Sequence, residues 1–258
     1  LDDFSYDSSV PYGPRTFVPA LYVSGMSLTT VGFGDVVGAT DAMRLTTVVE
    51  AGAGFGLITA AITYVLSIYP LTSELRGAAR MVQTQAVDPE RAARMVVLGG
   101  ASYLQDLQQR VIAVDEDTQR FPFLFYFRPR DSASSLHTLM LGVMMACMQA
   151  RWGVSEEAAP YARLAGDELK LRLHRIMDHC SSTFRLRVVE EDGPALDTAD
   201  ARRRLARLVA AAGDNGTESD LDDEGLHHFA LFLARCQSFL DELARHHLNE
   251  RTQILGRE

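Results

Sequence analysis

One stretch of the chain differs from the rest in its pattern of apolar and charged residues. Residues 51–71 contain no Asp, Glu, Lys, Arg or His, whereas charged residues are frequent elsewhere. At 1.5 Å per residue, a helix over this stretch is roughly 30 Å long, which matches the hydrocarbon core of a bilayer. The pattern therefore predicts one membrane-spanning helix over residues 42–75, with Asp41 as its N-cap.

A shorter apolar helix is predicted upstream, over residues 16–29, after a polar and turn-rich loop over residues 1–14. Pro19 falls in the first turn of this helix, where proline is tolerated. The glycine pair Gly32 and Gly34 follows, and because glycine adopts backbone angles that other residues avoid, regular helix should end there. The sequence thus places an irregular loop between two apolar helices.

Beyond residue 76 the pattern predicts a mainly helical domain. A helix start is expected at Asp88 and Pro89. The apolar segment at 136–150 is too short to cross a bilayer, so we expect it to form a buried core helix. Further helices are predicted over residues 160–179, over 199–212 with Gly213 as a C-cap, and over 226–248, the last one amphipathic.

Two further segments leave alternatives open. The aromatic run at residues 121–127 is expected to form either one extended strand or an irregular anchor. The acidic segment at residues 214–224 raises the hypothesis of a calcium site, but Gly216 falls at the third position of the segment rather than the sixth. A solvated linker is the other interpretation of this segment.

Charge and cysteine usage narrow the functional class. A net charge of -9 and a pI near 5.3 argue against a nucleic-acid partner, which normally requires a basic face. Arginines follow the apolar span closely, so by the positive-inside tendency we expect the chain from about residue 76 onward to be cytoplasmic. These arginines are Arg76, Arg80, Arg91 and Arg94. The widely separated Cys147, Cys180 and Cys236 are expected to be free thiols.

The loop between the two apolar helices reads Thr-Thr-Val-Gly-Phe-Gly-Asp, from Thr29 to Asp35. A pore that selects potassium must replace the hydration shell of the ion, and rings of backbone carbonyls supply the oxygens. Gly32 and Gly34 give the backbone the freedom to line such a pore. A nucleotide-binding glycine loop is the competing interpretation, but the third glycine and the preceding strand of that fingerprint are missing.

The segments at residues 20–22 and 27–35 resemble the pore helix and signature of potassium channels, especially bacterial two-transmembrane ones. The segment at 50–61, with its glycines, is similar to their inner helix. The resemblance extends over about residues 15–75, roughly a quarter of the chain. Members of that family carry an outer transmembrane helix before the pore helix, so we expect this sequence to begin inside the extracellular loop.

The resemblance implies a role for each loop residue. The backbone oxygens of Thr30, Val31, Gly32 and Phe33 would bind potassium, and Gly34 would complete the filter turn. Tyr22 and Asp35 would support the filter. Three glycines, Gly52, Gly54 and Gly56, compete for the hinge of the inner helix, and Gly54 is the favoured one.

Three positions are notable when the sequence is compared with the family pattern. Phe33 stands where tyrosine is commoner, which removes a hydroxyl that would bond to the surrounding aromatic cuff, and Tyr22 remains as one cuff candidate. Met26 stands where some relatives have a carboxylate that braces the filter aspartate, so Asp35 is expected to be held differently and to lack that partner. For Glu50, a bracing or pore role and an interfacial placement are both left open.

The predicted fold is all-α, with a pore domain over residues 1–80 and a helical cytoplasmic domain over residues 81–258. The pore domain comprises the pore helix, the selectivity-filter loop and the inner transmembrane helix. The predicted function is a potassium-selective channel subunit that works as a homotetramer in membrane lipid. We expect no catalytic residues, no cofactor apart from potassium ions in the filter, and no nucleic-acid partner. The alternatives are a non-selective cation channel and a regulatory or scaffold subunit whose helical tail binds a partner.

Overall fold

A computed structural model of the chain describes residues 4–6, 17–126, 131–190, 193–213 and 221–247. The described residues form the strands β1 (Phe4–Tyr6) and β2 (Val36–Gly38) and the helices α1 (Phe17–Leu28), α2 (Asp41–Ala86), α3 (Pro89–Arg120), α4 (Leu136–Met148), α5 (Ala162–Phe184), α6 (Thr198–Ala211) and α7 (Asp223–His247). The predicted all-α class is confirmed, since the only sheet among these residues is the short antiparallel pair of β1 and β2.

The chain divides into two compact units, Leu1–Tyr69 and Pro70–Glu258, and α2 contributes residues to both. The predicted domain boundary between residues 80 and 81 falls inside α2, in the second unit. The first unit contains α1, the two strands and the first part of α2. The predicted helix over 16–29 is present as α1, and its expected start before Phe17 lies outside the described residues, as does most of the opening loop.

The start and end of α2 differ from the prediction. The Thr40 hydroxyl accepts a hydrogen bond of 3.3 Å from the Met43 N–H, so Thr40 is the capping residue and Asp41 lies one position inside the helix. The helix then continues through Pro70 to Ala86, well beyond the predicted end at residue 75. Its last turns place Ala78, Ala79 and Val82 in the core of the second unit, and this packing outweighs the hydrogen bond that the proline removes.

The second unit is built around α4, whose residues are all buried. This helix packs against α3, α5 and α7, so the predicted core helix is confirmed. The predicted start of α3 is also confirmed, because the Asp88 carboxylate accepts a 2.8 Å hydrogen bond from the Arg91 N–H. Gly100 has a φ of 65° and kinks α3.

The helices near the C-terminus follow the predicted pattern. The amphipathic stripe of α7 is buried at every predicted position: Leu226, Phe229, Ala230, Leu233, Cys236, Leu240 and Leu243. Gly213 follows α6 with a φ of 75°, as expected for a glycine just past the end of a helix. The three cysteines are free and buried.

The structure describes part of each of the two segments for which the sequence left alternatives open. Pro122–Tyr126 form a short 3-10 helix, so an extended strand is wrong for the aromatic run, whose last residue lies outside the described part. Phe125 instead stacks on Phe184, with ring centroids 4.0 Å apart. In the acidic segment, residues 214–220 lie outside the described part. The remaining residues begin α7, because the Asp222 carboxylate accepts a 2.8 Å hydrogen bond from the Gly225 N–H.

Candidate functional site

The loop that follows α1 leaves the helix through a defined cap. The Thr30 N–H donates to the Ser27 carbonyl and the Val31 N–H donates to the Met26 carbonyl, both at 3.0 Å. With Thr30 in the left-handed region, this pair of bonds is the Schellman motif that ends many helices. Glycine is the usual residue at the left-handed position. Here a β-branched threonine occupies it, which is sterically costly.

Positive φ angles recur at every second residue of this loop. Thr30 has a φ of 60°, Gly32 of 55° and Gly34 of 80°, whereas Val31 and Phe33 between them keep negative φ. A Cβ placed on either glycine would meet nothing within 4 Å. The backbone conformation, rather than crowding, therefore favours glycine at these positions.

The loop is open to its surroundings in the single chain. Val31 and Phe33 are 54% and 74% exposed. Thr30 and both glycines are also exposed. The loop residues therefore carry their backbone on a surface that this chain alone does not cover.

Asp35, at the end of the loop, is held by α1. The Tyr22 hydroxyl donates a hydrogen bond of 2.8 Å to Oδ2 of Asp35. Met26 offers no carboxylate to Asp35, and Asp35 is held differently, as expected, by Tyr22, which lies one turn before Met26 on α1. The two residues named as filter supports are thus brought together.

A second polar contact joins α1 to α2. The Ser24 hydroxyl donates a hydrogen bond to Oε1 of Glu50, and both residues are half-buried. Of the two placements left open for Glu50, the geometry matches the bracing one. Ser24 was not predicted from the sequence as the partner of Glu50, although a lone carboxylate near the start of an apolar helix indicates that a partner exists.

The glycines of α2 differ in their surroundings. A Cβ on Gly54 would lie 1.8 Å from the Leu28 carbonyl oxygen, whereas a Cβ on Gly52 or Gly56 would meet nothing within 4 Å. Of these three glycines, Gly54 is therefore the one at which α2 lies against the end of α1. Its predicted hinge role stays a prediction, because α2 is continuous through this residue.

The apolar part of α2 is largely uncovered by the rest of the chain. Only 11% of its most apolar 18-residue window is buried, and α2 is long and apolar enough to cross a membrane. Within the described ranges it is the only helix that meets this criterion. Exposed apolar area of this size indicates contact with lipid or with protein.

Among the described residues, no three His, Cys, Asp or Glu side chains come together in a group that could hold a metal ion. The oxygen atoms of the loop at residues 30–34 are those of its backbone and of the Thr30 hydroxyl.

The comparison with protein families agrees with a membrane location for the first part of the chain. Residues 4–69 match the family model described as an ion channel, and the matched segment ends where the first compact unit ends. The match covers about a quarter of the chain and supports an ion channel family for that segment. No curated protein and no solved structure matches the chain.

Proposed function

We propose that the chain is a subunit of a potassium-selective channel, in which the loop at residues 30–34 is the selectivity filter. The observation that carries this proposal is the conformation of Thr30. A β-branched residue in the left-handed region costs about 1–2 kcal/mol, and the glycine that would remove this cost is the common choice at such a cap. Strain of this kind points to a functional need for the side chain, here its hydroxyl.

The alternating sign of φ along the loop supports the same function. A chain that alternates between right-handed and left-handed residues collects its N–H groups on one side. Its carbonyl groups are then left to face the other side. In the proposed pore, the oxygens of Thr30, Val31, Gly32 and Phe33 would form a row of ligands for a dehydrated potassium ion.

One row of oxygens cannot replace a hydration shell, because each level of the row supplies a single ligand from one chain. Rings of carbonyls in potassium pores come from four chains. The exposure of the loop and of Val31 and Phe33 leaves room for such neighbours. We therefore infer a homotetramer, with Gly34 completing the filter turn at the outer end.

The membrane placement follows from α2 and from the charges beyond it. The helix has the length and composition of a membrane span, and Arg76, Arg80, Arg91 and Arg94 follow its apolar part. By the positive-inside tendency, residues from about 76 onward lie in the cytoplasm. The helical unit from Pro70 onward then serves to assemble or gate the pore, without catalytic residues.

The test measures ion binding and ion flux with the full-length protein. Calorimetry measures the binding of potassium and of sodium to the filter, even when a gate is closed. Flux into lipid vesicles measures conduction. We expect four chains per particle by light scattering, tighter binding of potassium than of sodium, and potassium-selective flux when the gate opens. Equal binding of the two ions would favour a non-selective channel, and particles that bind neither ion would favour a regulatory or scaffold subunit.

A matched pair of glycine variants localises the site. Gly32→Ala forces a side chain into a backbone with a φ of 55° and should weaken potassium binding. Gly25→Ala lies on α1, where a Cβ meets nothing within 4 Å, and should leave binding unchanged. If both variants bind potassium like the wild type, the loop is not the filter.

A further inference from the structure

We propose that Glu50 is a filter-positioning residue, whose carboxylate holds α1 against α2 through Ser24 and so fixes the loop that α1 carries. This inference rests on the proposed function, because it assigns Glu50 a part in ion selection. It starts from the position of Glu50 in the chain. Between residues 45 and 73, Glu50 is the only residue among Asp, Glu, Lys, Arg and His.

A carboxylate in such a segment is costly unless a protein group satisfies it. Glu50 lies on the membrane-length helix, and the Ser24 hydroxyl of α1 donates to its Oε1. Hydrogen bonds to ionised groups are stronger than those between neutral groups, and low polarity nearby strengthens them further. The bond is therefore a specific link between the two helices.

The link is one of two contacts that share a register. Ser24 pairs with Glu50, 26 positions later, and Leu28 meets Gly54 at the same separation. The contact of Leu28 with Gly54 lies one helical turn after the bond of Ser24 with Glu50 on both helices, since residues four apart share a face. The two helices therefore run in the same direction along this seam, with a polar contact at one turn and a backbone contact at the next.

The seam acts on the filter because α1 is continuous with it. The Tyr22 hydroxyl, two residues before Ser24, bonds to Asp35 at the outer end of the loop. The carbonyls of Met26 and Ser27, just after Ser24, accept the N–H groups of Val31 and Thr30 at the inner end. A shift of α1 against α2 would therefore move both ends of the loop at once.

The test compares variants that keep or remove the acceptor. Glu50→Gln keeps an oxygen acceptor at nearly the same position, whereas Glu50→Leu removes it and Ser24→Ala removes the donor. Glu74→Gln serves as the control, because Glu74 lies on the same helix, is exposed and makes no hydrogen bond or ion pair within the described part of the chain. All variants are made in the full-length protein.

We expect Glu50→Leu and Ser24→Ala each to reduce the ratio of potassium to sodium binding about tenfold, the effect of losing one hydrogen bond to a charged group. The double variant should lose no more than either single variant, because both remove the same bond. Glu50→Gln should retain most of the wild-type ratio, and Glu74→Gln all of it. Four chains per particle should be kept throughout.

Two results would overturn the proposal. If Ser24→Ala keeps the wild-type ratio while Glu50→Leu loses it, Glu50 does not act through Ser24. If Glu50→Gln loses as much as Glu50→Leu, the charge itself matters, as in a residue that faces the pore. Failure of the proposed function is distinct from both, since the wild-type protein would then bind potassium no better than sodium.

Discussion

The Tyr22 hydroxyl lies 2.8 Å from Oδ2 of Asp35 and ties the middle of α1 to the residue that follows the loop at residues 30–34. The other oxygen of the carboxylate, Oδ1, is buried and has no hydrogen-bond partner within the described residues. Asp35 therefore depends on Tyr22 for its position in the single chain. Because a carboxylate with an unsatisfied buried oxygen is costly, the remaining bond has a large effect on where the loop ends.

Removal of the Tyr22 hydroxyl should loosen the proposed filter. Tyr22→Phe keeps the ring on α1 but deprives Asp35 of its donor, which costs about 1–3 kcal/mol for a buried acceptor. We expect weaker potassium binding by calorimetry and faster loss of current during sustained conduction. Tyr126→Phe, at an exposed position of the second unit, should change neither quantity. Wild-type binding and current in Tyr22→Phe would contradict a supporting role.

The two glycines Gly52 and Gly54 should respond oppositely to the same substitution. Gly54→Ala places a Cβ 1.8 Å from the Leu28 carbonyl oxygen, a backbone atom that cannot move without shifting α1. We expect this variant to lose the four-chain particle or potassium binding, as judged by light scattering and calorimetry. Gly52→Ala meets nothing within 4 Å and should behave like the wild type or be slightly more stable. Equal tolerance of both substitutions would show that the close contact is absent in the assembled protein.

Thr30 should show a trade between stability and ion binding. Thr30→Gly relieves a left-handed threonine and should raise the free energy of unfolding by about 1–2 kcal/mol, while the loss of the hydroxyl weakens potassium binding. Thr30→Ser keeps the hydroxyl and should retain most of the binding. Thermal unfolding and calorimetry on the same samples measure both effects. A destabilised Thr30→Gly would mean that the strain is relieved in the assembled pore.

The sequence predicts most elements of this fold, because their signals are local. The cap at Asp88, the stripe of α7 and the apolar length of α2 each depend on residues close together in the chain. The length of α2 beyond residue 75 was missed because buried contacts of Ala78 and Val82, not propensity, carry the helix onward. The contacts of Ser24 with Glu50 and of Leu28 with Gly54 were also missed, since residues 26 positions apart leave no periodic signal in the sequence.

Gln149 directly follows α4 and links it to α3 and α6 in the second unit. It is fully buried, and its Nε2 donates to the carbonyls of Pro89 and Leu208, both at 3.0 Å. Gln149→Leu leaves both carbonyls without this donor, so we expect the free energy of unfolding to fall by about 1–3 kcal/mol or more. Chemical unfolding followed by circular dichroism measures the change, with the exposed Gln109→Leu as the control. An unchanged midpoint for Gln149→Leu would contradict the bridging role.

The three cysteines should resist thiol reagents while the second unit is folded. Burial, with a smaller effect of the Asp115 carboxylate, raises the pKa of the Cys180 thiol to about 12. Burial also raises the pKa of the Cys147 and Cys236 thiols above the usual value. Because the thiolate is the reactive form, a raised pKa leaves less of it at every pH below that value.

We therefore expect slow labelling by a maleimide between pH 7 and 9, measured by the mass of the intact protein, and rapid labelling of all three cysteines after unfolding in urea. Between these pH values the rate should rise with pH without levelling off, because the thiol pKa values lie above the range. Rapid labelling of Cys147 or Cys236 in the folded protein, or a plateau near pH 9, would show that the thiols are reached by solvent through opening of the second unit.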